Sequence, residues 1–138
     1  MPGERKESIR FGKAVGAGDS GSLSYDVVGD ATVERVTTRF YPGQELDLHL
    51  TPWIKVGSKD ERDKITLVQL EGKDFVDGSD DFFEFDVGEK ISDGDQIGVD
   101  FDNQDSQFSY NFHLAIEIEH AGGTSRFGGF FDRLRRFF

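Results

Sequence analysis

The sequence contains no cysteine, and this absence removes several chemistries at once. A disulfide framework, a thiol nucleophile and a thiolate metal site are all excluded. A chain of 138 residues can bury a core of its own, so it does not need covalent cross-links to fold. Its length, without long polar interruptions, predicts one domain with short appendages.

Long hydrophobic runs are also missing. No segment approaches the roughly 18–20 consecutive apolar residues that a membrane-spanning helix needs. The N-terminal sequence MPGERKESIR lacks the apolar central region that secretory signals carry. These features predict a chain that is made in the cytoplasm and first resides there.

Basic residues are scarce relative to acidic ones. The chain has 27 Asp and Glu against 16 Lys and Arg, which gives a formal net charge of −11. Such acidity accompanies disorder when apolar residues are few, but here 36% of the residues are hydrophobic and 14 are Phe. We therefore expect a folded protein with a carboxylate-dense surface. Salt screens such a surface, to a Debye length of about 3 Å at 1 M, and the composition is typical of extreme halophiles.

The charge is unevenly distributed, with an acidic body between two basic ends. Residues 124–138 carry four Arg and one Asp, a net charge of +3, which leaves −14 for the other 123 residues. The pattern predicts three parts: a basic N-terminal arm with a Gly-rich joint (1–21), a folded domain (22–121) and a tail (122–138). The docking candidates of the arm are Arg5, Lys6, Arg10 and Phe11.

Between these ends, apolar and polar residues alternate with a period of two, which is typical of strands with one buried face. The longest alternation covers residues 108–119 and places six apolar side chains on one face: Phe108, Tyr110, Phe112, Leu114, Ile116 and Ile118. A slip in phase between Val33 and Phe40 predicts a β-bulge, and Pro52 is predicted to end a strand. About eight strands separated by turns predict an all-β fold, a single antiparallel β-sandwich or jelly roll.

The period changes to that of a helix in the C-terminal tail. The apolar face consists of Phe127, Phe130, Phe131, Leu134, Phe137 and Phe138, and the opposite face carries Arg133, Arg135 and Arg136. So short an amphipathic helix is marginal alone in water and is expected to form when its aromatic face is buried. Its target is another protein, an anionic membrane surface or its own sandwich. Nucleic acid is disfavoured because the arginines adjoin a strongly acidic body.

No catalytic motif is present. The Gly-x-Ser-x-Gly elbow, the phosphate-binding loop and the dinucleotide fingerprint are all missing, so we expect a protein that is not an enzyme and has no cofactor. Asp100, Asp102 and Asp105 are the metal-ligand candidates, for Ca²⁺, although the segment lacks the Gly and the distal Glu of the helix-loop-helix calcium pattern. His49 and His113 lie on the polar faces of their strands and would form a site only if those strands paired.

An alternative function is that of a carbohydrate- or calcium-binding sandwich module of a halophile. Trp53, Tyr25, Tyr41 and Tyr110 would then form a platform on which sugar rings stack. Tyr25 and Tyr110 follow the apolar phase of their strands, so we expect them to pack in the core instead.

Three segments look like parts of viral structural β-sandwiches: FYPGQELDLHLTP at 40–52, GDQIGVDFDN at 94–103 and the long alternation at 107–119. Together with the halophilic composition, they make the chain resemble small capsid-associated proteins of haloarchaeal viruses. These include tailless icosahedral viruses whose jelly-roll shell encloses a membrane. The resemblance covers residues 22–120 and implies a structural virion protein in a lattice of identical or related subunits, which the terminal arms connect. The short chain implies a minor, cementing or decorating component.

Overall fold

The computed structural model describes residues 5–43, 46–57, 64–68, 70 and 72–121. These residues form eight β-strands and no helix. The strands are β1 (Arg5–Val15), β2 (Ser20–Asp26), β3 (Ala31–Phe40), β4 (Leu48–Lys55), β5 (Lys64–Thr66), β6 (Asp81–Ile91), β7 (Gln96–Asn103) and β8 (Tyr110–His120). The all-β prediction with about eight strands is therefore confirmed.

The strands form two antiparallel sheets of four strands each. The first sheet has the order β1-β8-β3-β6 and the second the order β2-β7-β4-β5. Every connection between consecutive strands crosses to the other sheet, except the one from β4 to β5. This alternation is the jelly-roll arrangement of a β-sandwich.

The inner faces of the two sheets form one hydrophobic core. Its fully buried large side chains are Phe40, Leu48, Leu50, Ile54, Ile97, Leu114, Ile116 and Ile118. The predicted inward phase of residues 112–118 is confirmed, whereas Phe108 precedes β8 and is 61% exposed. Each fully buried side chain of this size contributes about 1.5–3 kcal/mol relative to an exposed one.

Residues 5–15, predicted as part of a basic N-terminal arm, instead form the edge strand β1. This strand pairs with β8 over its full length. Phe11 is only 6% exposed and belongs to the core together with Ile9 and Val15, while the other arm candidates, Arg5, Lys6 and Arg10, are exposed. The prediction was wrong because the basic residues obscure a period-two alternation, which pairing with β8 turns into a sheet edge.

Two details of the strand predictions have opposite outcomes. The predicted bulge is confirmed, since the register of β3 shifts between Val33 and Arg35 against both of its neighbours. Pro52 does not end its strand, because β4 continues to Lys55. Proline is tolerated there because its nitrogen faces the side where β5 has already ended, and its carbonyl accepts a hydrogen bond from the amide of Leu67.

One buried amide ties the strand ends together. Asn103 is 1% exposed, and its Nδ2 donates to the carbonyl oxygens of Val15, Gly16 and Phe108. Its Oδ1 accepts a hydrogen bond from the backbone amide of Asp105. The side chain therefore joins β7 to the end of β1 and to the segment that leads into β8.

The predicted tail helix, with its docking residues from Phe127 to Phe138, lies outside the described residues and stays a prediction. In the part of the chain that the structure describes, no helix has the length and apolar character needed to cross a bilayer.

Candidate assembly interface

The two long sides of the sandwich differ in how well they cover the core. Strands β1 and β2 border one side, and β5 and β6 border the other. On the β1–β2 side, the hydroxyl of Tyr25 lies 3.5 Å from the carboxylate of Glu7, so a side-chain contact bridges the two sheets. Ile9 and Phe11, although on an edge strand, are at most 7% exposed. This side of the core is therefore covered.

A cavity of about 300 Å³ lies at the end of the β1–β2 side. His120 and Glu7 face each other in it, with the imidazole Nε2 2.8 Å from the carboxylate, and Arg5, Tyr25 and Asp30 complete its polar lining. Because the imidazole of His120 and the carboxylate of Glu7 contact each other, they connect the end of β8 to β1.

The opposite side covers the core less completely. β5 has three residues whereas β6 has eleven. The segment after β5 continues along this side of the sandwich, where Val76 bridges Leu50 of β4 and is fully buried and Val68 is 9% exposed. The inward side chains of β6, Phe83, Phe85 and Val87, pack against the core but are only partly buried. Ile65 of β5 pairs with the fully buried Ile54, yet it is 48% exposed. We call this surface the open side; it consists of β5, β6 and the side chains of Ile65, Phe83, Phe85 and Val87.

The aromatic rings of the open side are continuous with the core. Phe83 lies edge-to-face on the fully buried Phe40, with 6.1 Å between the ring centroids, and stacks on Phe85 at 5.9 Å. On the other face of the same strand, Phe82 is 62% exposed. The partly exposed apolar surface that is continuous with the core is therefore that of Phe83 and Phe85, and exposed apolar surface is typical of interaction sites.

The backbone of β6 is also available for contact. Among the described residues, β6 pairs only with β3 and is the edge of its sheet. Alternate amide and carbonyl groups along its eleven residues therefore point away from the sheet. Charged side chains such as Glu84, Asp86 and Lys90 flank this edge, a common device against indiscriminate strand pairing.

The rim of the open side is acidic. Residues 72–91 contain seven acidic and two basic residues, a net charge of −5. On the outer face of β6, Arg35 of β3 lies 3.4 Å from Asp86 and 3.7 Å from Glu84, and it also lies 3.8 Å from Glu117 of β8. The hydrogen bond to Asp86 and the charges of Glu84 and Glu117 raise the pKa of Arg35. Asp80 and Asp77 are also paired, with Arg39 at 3.2 Å and with Lys73 at 2.9 Å, so the negative charge beside the apolar rings is partly compensated.

The predicted Ca²⁺ ligands are not arranged as a metal site. Asp100 accepts hydrogen bonds from Nε1 of Trp53 at 2.9 Å and from Nζ of Lys64 at 3.1 Å. Asp102 lies on the outer face of β7, and Asp105 lies in the segment beyond that strand. The described residues contain no group of three or more His, Asp or Glu side chains that could hold a metal ion.

Asp105 instead organises the turn before β8. The Tyr110 hydroxyl, which contributes most, and the backbone amides of Gln107 and Phe108 donate hydrogen bonds to its carboxylate and lower its pKa. Because the folded state lowers this pKa, the carboxylate stabilises the fold above its unfolded pKa, and the stabilisation is lost as the pH falls through the folded pKa.

We expect an NMR titration of the full chain to place the midpoint of Asp105 below its ordinary value of 3.8. Tyr110→Phe, which removes the main donor, should raise that midpoint. Tyr25→Phe is the matched control, since its hydroxyl contacts Glu7 instead and its removal should leave Asp105 unchanged. Equal midpoints in the Tyr110→Phe variant and the unmodified chain would contradict this assignment.

The two histidines of the sequence analysis do not meet. His49 lies on β4 of the second sheet and stacks on Phe75, with ring centroids 3.8 Å apart. His113 lies on β8 of the first sheet, so the strand pairing that a shared site would need does not occur.

The four candidate aromatic residues do not form a sugar-stacking platform. Tyr25 and Tyr110 pack against the core, as predicted. Trp53 is 2% exposed, and Nζ of Lys64 lies 4.6 Å from the centroid of its ring. Tyr41 is 41% exposed but lies apart from the others, in the turn after β3.

The sequence analysis did not identify the open side. One signal was available, because Phe82 and Phe83 place apolar side chains on both faces of one strand. The exposure itself depends on how β5 and the segment that follows it pair with β4 and border β6.

The fold is that of a two-sheet antiparallel β-sandwich. Comparisons with known proteins do not assign the chain to a family. The chain matches no protein-family model and no curated protein. It is similar to the Yersinia pseudotuberculosis-derived mitogen at 11% identity, with a TM-score of 0.47 and coverage of 84% of this chain and 86% of the mitogen.

The chain is also similar to two further solved structures. One is the VP2 subviral particle of infectious bursal disease virus, at 15% identity and a TM-score of 0.43, with 87% of this chain and 34% of that chain covered. The other is a carbohydrate-binding module of the β-sandwich superfamily, at 15% identity and a TM-score of 0.46, with 86% of this chain and 57% of that chain covered. Viral capsid β-sandwiches are thus among the structural neighbours, and this chain spans about a third of the VP2 chain. Such similarity concerns the fold alone, and none of it points to a haloarchaeal virus.

Proposed function

We propose that this chain is a non-enzymatic assembly protein that binds other subunits through its open side. The observation that supports this function is the row Phe83, Phe85 and Val87, which packs against the core on the edge strand β6 yet stays partly exposed. Burying apolar surface against a partner favours association by a gross amount of about 25 cal/mol per Å², which the lost freedom of the two molecules partly offsets. The acidic rim then selects for a basic partner surface and against an acidic one.

The biological setting that we infer is the particle of a haloarchaeal virus, where the chain would be a minor or cementing capsid component made in the host cytoplasm. The support is the resemblance of residues 22–120 to such proteins and the net charge of −11. Acidic subunits can lie side by side in molar salt because the Debye length there is about 3 Å.

The alternative, a carbohydrate- or calcium-binding module, has less support. It requires exposed stacking aromatics or converging carboxylates, whereas Trp53 is covered and Asp100 is engaged by Trp53 and Lys64. An assembly protein requires a persistent apolar surface, and the open side provides one.

Sedimentation velocity of the full chain over a concentration series in molar salt tests the proposal. We expect association, and we expect Ile65→Asp to weaken it at least about tenfold, since a charge placed in a desolvated interface costs about 1.4 kcal/mol or more. The matched control is Val28→Asp, at a valine that is 72% exposed in the loop between β2 and β3.

The control should associate like the unmodified chain. Thermal unfolding of both variants shows whether the fold is retained. A chain that stays monomeric at the highest concentrations, or equal association of the two variants, would contradict the proposed function.

A further inference from the structure

We propose that the occupant of the open side is the Phe-rich segment 127–138 of this same protein. The inference rests on the proposed function, since it takes the open side to be a binding surface. Complementary charge, the reach of the chain and the size of the segment support it independently.

The chemistry of the segment is the complement of the open side. Residues 127–138 contain five Phe and one Leu, and residues 124–138 have a net charge of +3. The open side presents partly exposed Phe83 and Phe85 within a stretch, 72–91, of net charge −5. Apolar groups therefore meet apolar groups while basic groups meet acidic ones. A second open side would be a poor occupant, because two acidic rims would face each other.

The strand register shows that the segment can reach this surface. His120, the last residue of β8, pairs with Ala31 of β3, and Ala31 pairs with Ile91 of β6. Two strand spacings, about 10 Å, separate His120 from β6, and Val87 lies a further 13 Å or about four residues along that strand. The direct distance is then about 17 Å, and residues 121–126 span about 20 Å when extended.

The size of the segment also matches. Twelve residues in the predicted helix would be about 18 Å long. The row from Phe83 to Val87 spans about 13 Å, so the helix covers it with about one turn to spare. A helix this short is marginal alone in water, so its folding would be coupled to binding.

Cross-linking can test the contact cleanly because the chain has no cysteine of its own. Ile65→Cys combined with Gly129→Cys in the full chain should form a disulfide under mild oxidation at least about tenfold faster than the control pair. The control combines Gly129→Cys with Ser22→Cys, an exposed position on the outer face of β2 at the other side of the sandwich. Equal rates for the two pairs would overturn the inference.

Adding Phe131→Asp to the reactive pair should reduce its rate to that of the control, because the substitution removes a ring from the apolar face. An unchanged rate would overturn the inference. A further outcome would also overturn it: the reactive pair cross-links at the control rate, and the chain floats with vesicles of anionic phospholipid. The segment would then bind a membrane instead of the open side.

Mixing the two single-cysteine chains separates this inference from the proposed function. A cross-linked product of dimer mass means that the segment of one copy occupies the open side of another, which supports both. If the mixture gives no product and the doubly substituted chain cross-links at monomer mass, the segment occupies the open side of its own copy. That result supports the inference and contradicts assembly through the open side. If the Ile65→Cys, Gly129→Cys chain cross-links only at the control rate while the unmodified chain still associates, the inference is overturned and the proposed function stands.

Discussion

Replacing Phe40 with alanine is expected to lower the free energy of unfolding by about 3–5 kcal/mol. Phe40 is fully buried at the end of β3, where it pairs with Phe112 of β8 and packs edge-to-face on Phe83 of β6. Its removal leaves a cavity between strands that hydrogen bonds hold in place, so the surroundings relax only in part. Urea titration at fixed salt concentration, with linear extrapolation to zero denaturant, measures the loss.

Phe82→Ala is the matched control for this substitution. Phe82 lies on β6 in the same sheet but is 62% exposed, so its loss should change the free energy of unfolding by about 0.5 kcal/mol or less. A loss below about 1 kcal/mol for Phe40→Ala, or comparable losses for the two variants, would show that the first sheet does not bury Phe40 as described.

Gly98→Ala is expected to destabilise the protein by about 2–3 kcal/mol, although it adds only one methyl group. Gly98 lies on β7, between β2 and β4, where a Cβ atom would contact the carbonyl oxygen of Leu23 and come within 2.5 Å of Cζ2 of Trp53. The carbonyl belongs to a paired strand and cannot move away. Displacing the indole would disturb the 2.9 Å hydrogen bond from its Nε1 to Asp100.

Trp53 is the single tryptophan of the chain, so its fluorescence reports directly on this contact during thermal unfolding. The control is Gly12→Ala on the edge strand β1, where the new Cβ would lie at ordinary distances of 3.4 Å from the carbonyl oxygen of Phe112 and 3.6 Å from His113. That variant should be as stable as the unmodified chain or slightly more so, because alanine restricts the unfolded state. Equal destabilisation by the two substitutions would refute the steric explanation.

Several features of the fold could be predicted because they depend on local alternation. The inward phase of residues 112–118, the bulge after Val33 and the approximate number of strands all follow from which neighbouring side chains are apolar. β1 was not predicted as a strand because its partner β8 lies about a hundred residues away in the sequence. No short-range pattern of side chains indicates that pairing. The continuation of β4 through Pro52 was missed for a similar reason, since it depends on where β5 ends.

The candidate site was even less accessible to sequence reasoning. Asp100, Asp102 and Asp105 are neighbours in the chain, but the structure directs Asp100 to Trp53 and Lys64 and Asp105 to Tyr110. The residues of the open side, by contrast, come from two strands that are separated in sequence. Their partial exposure depends on how β5 and the segment after it, which bridges β4 at Val76, border β6.

By itself, then, the amino-acid sequence determined an all-β, strongly acidic domain without cysteine and a Phe-rich basic tail, because composition and side-chain period are local properties. Only the tertiary structure decided that the predicted N-terminal arm is an edge strand, that the aspartates form no metal cluster among the described residues, and that one side of the core is open. The physical reason is that backbone hydrogen bonding between distant strands sets which edges meet. Those edges in turn set which apolar side chains remain exposed to a partner.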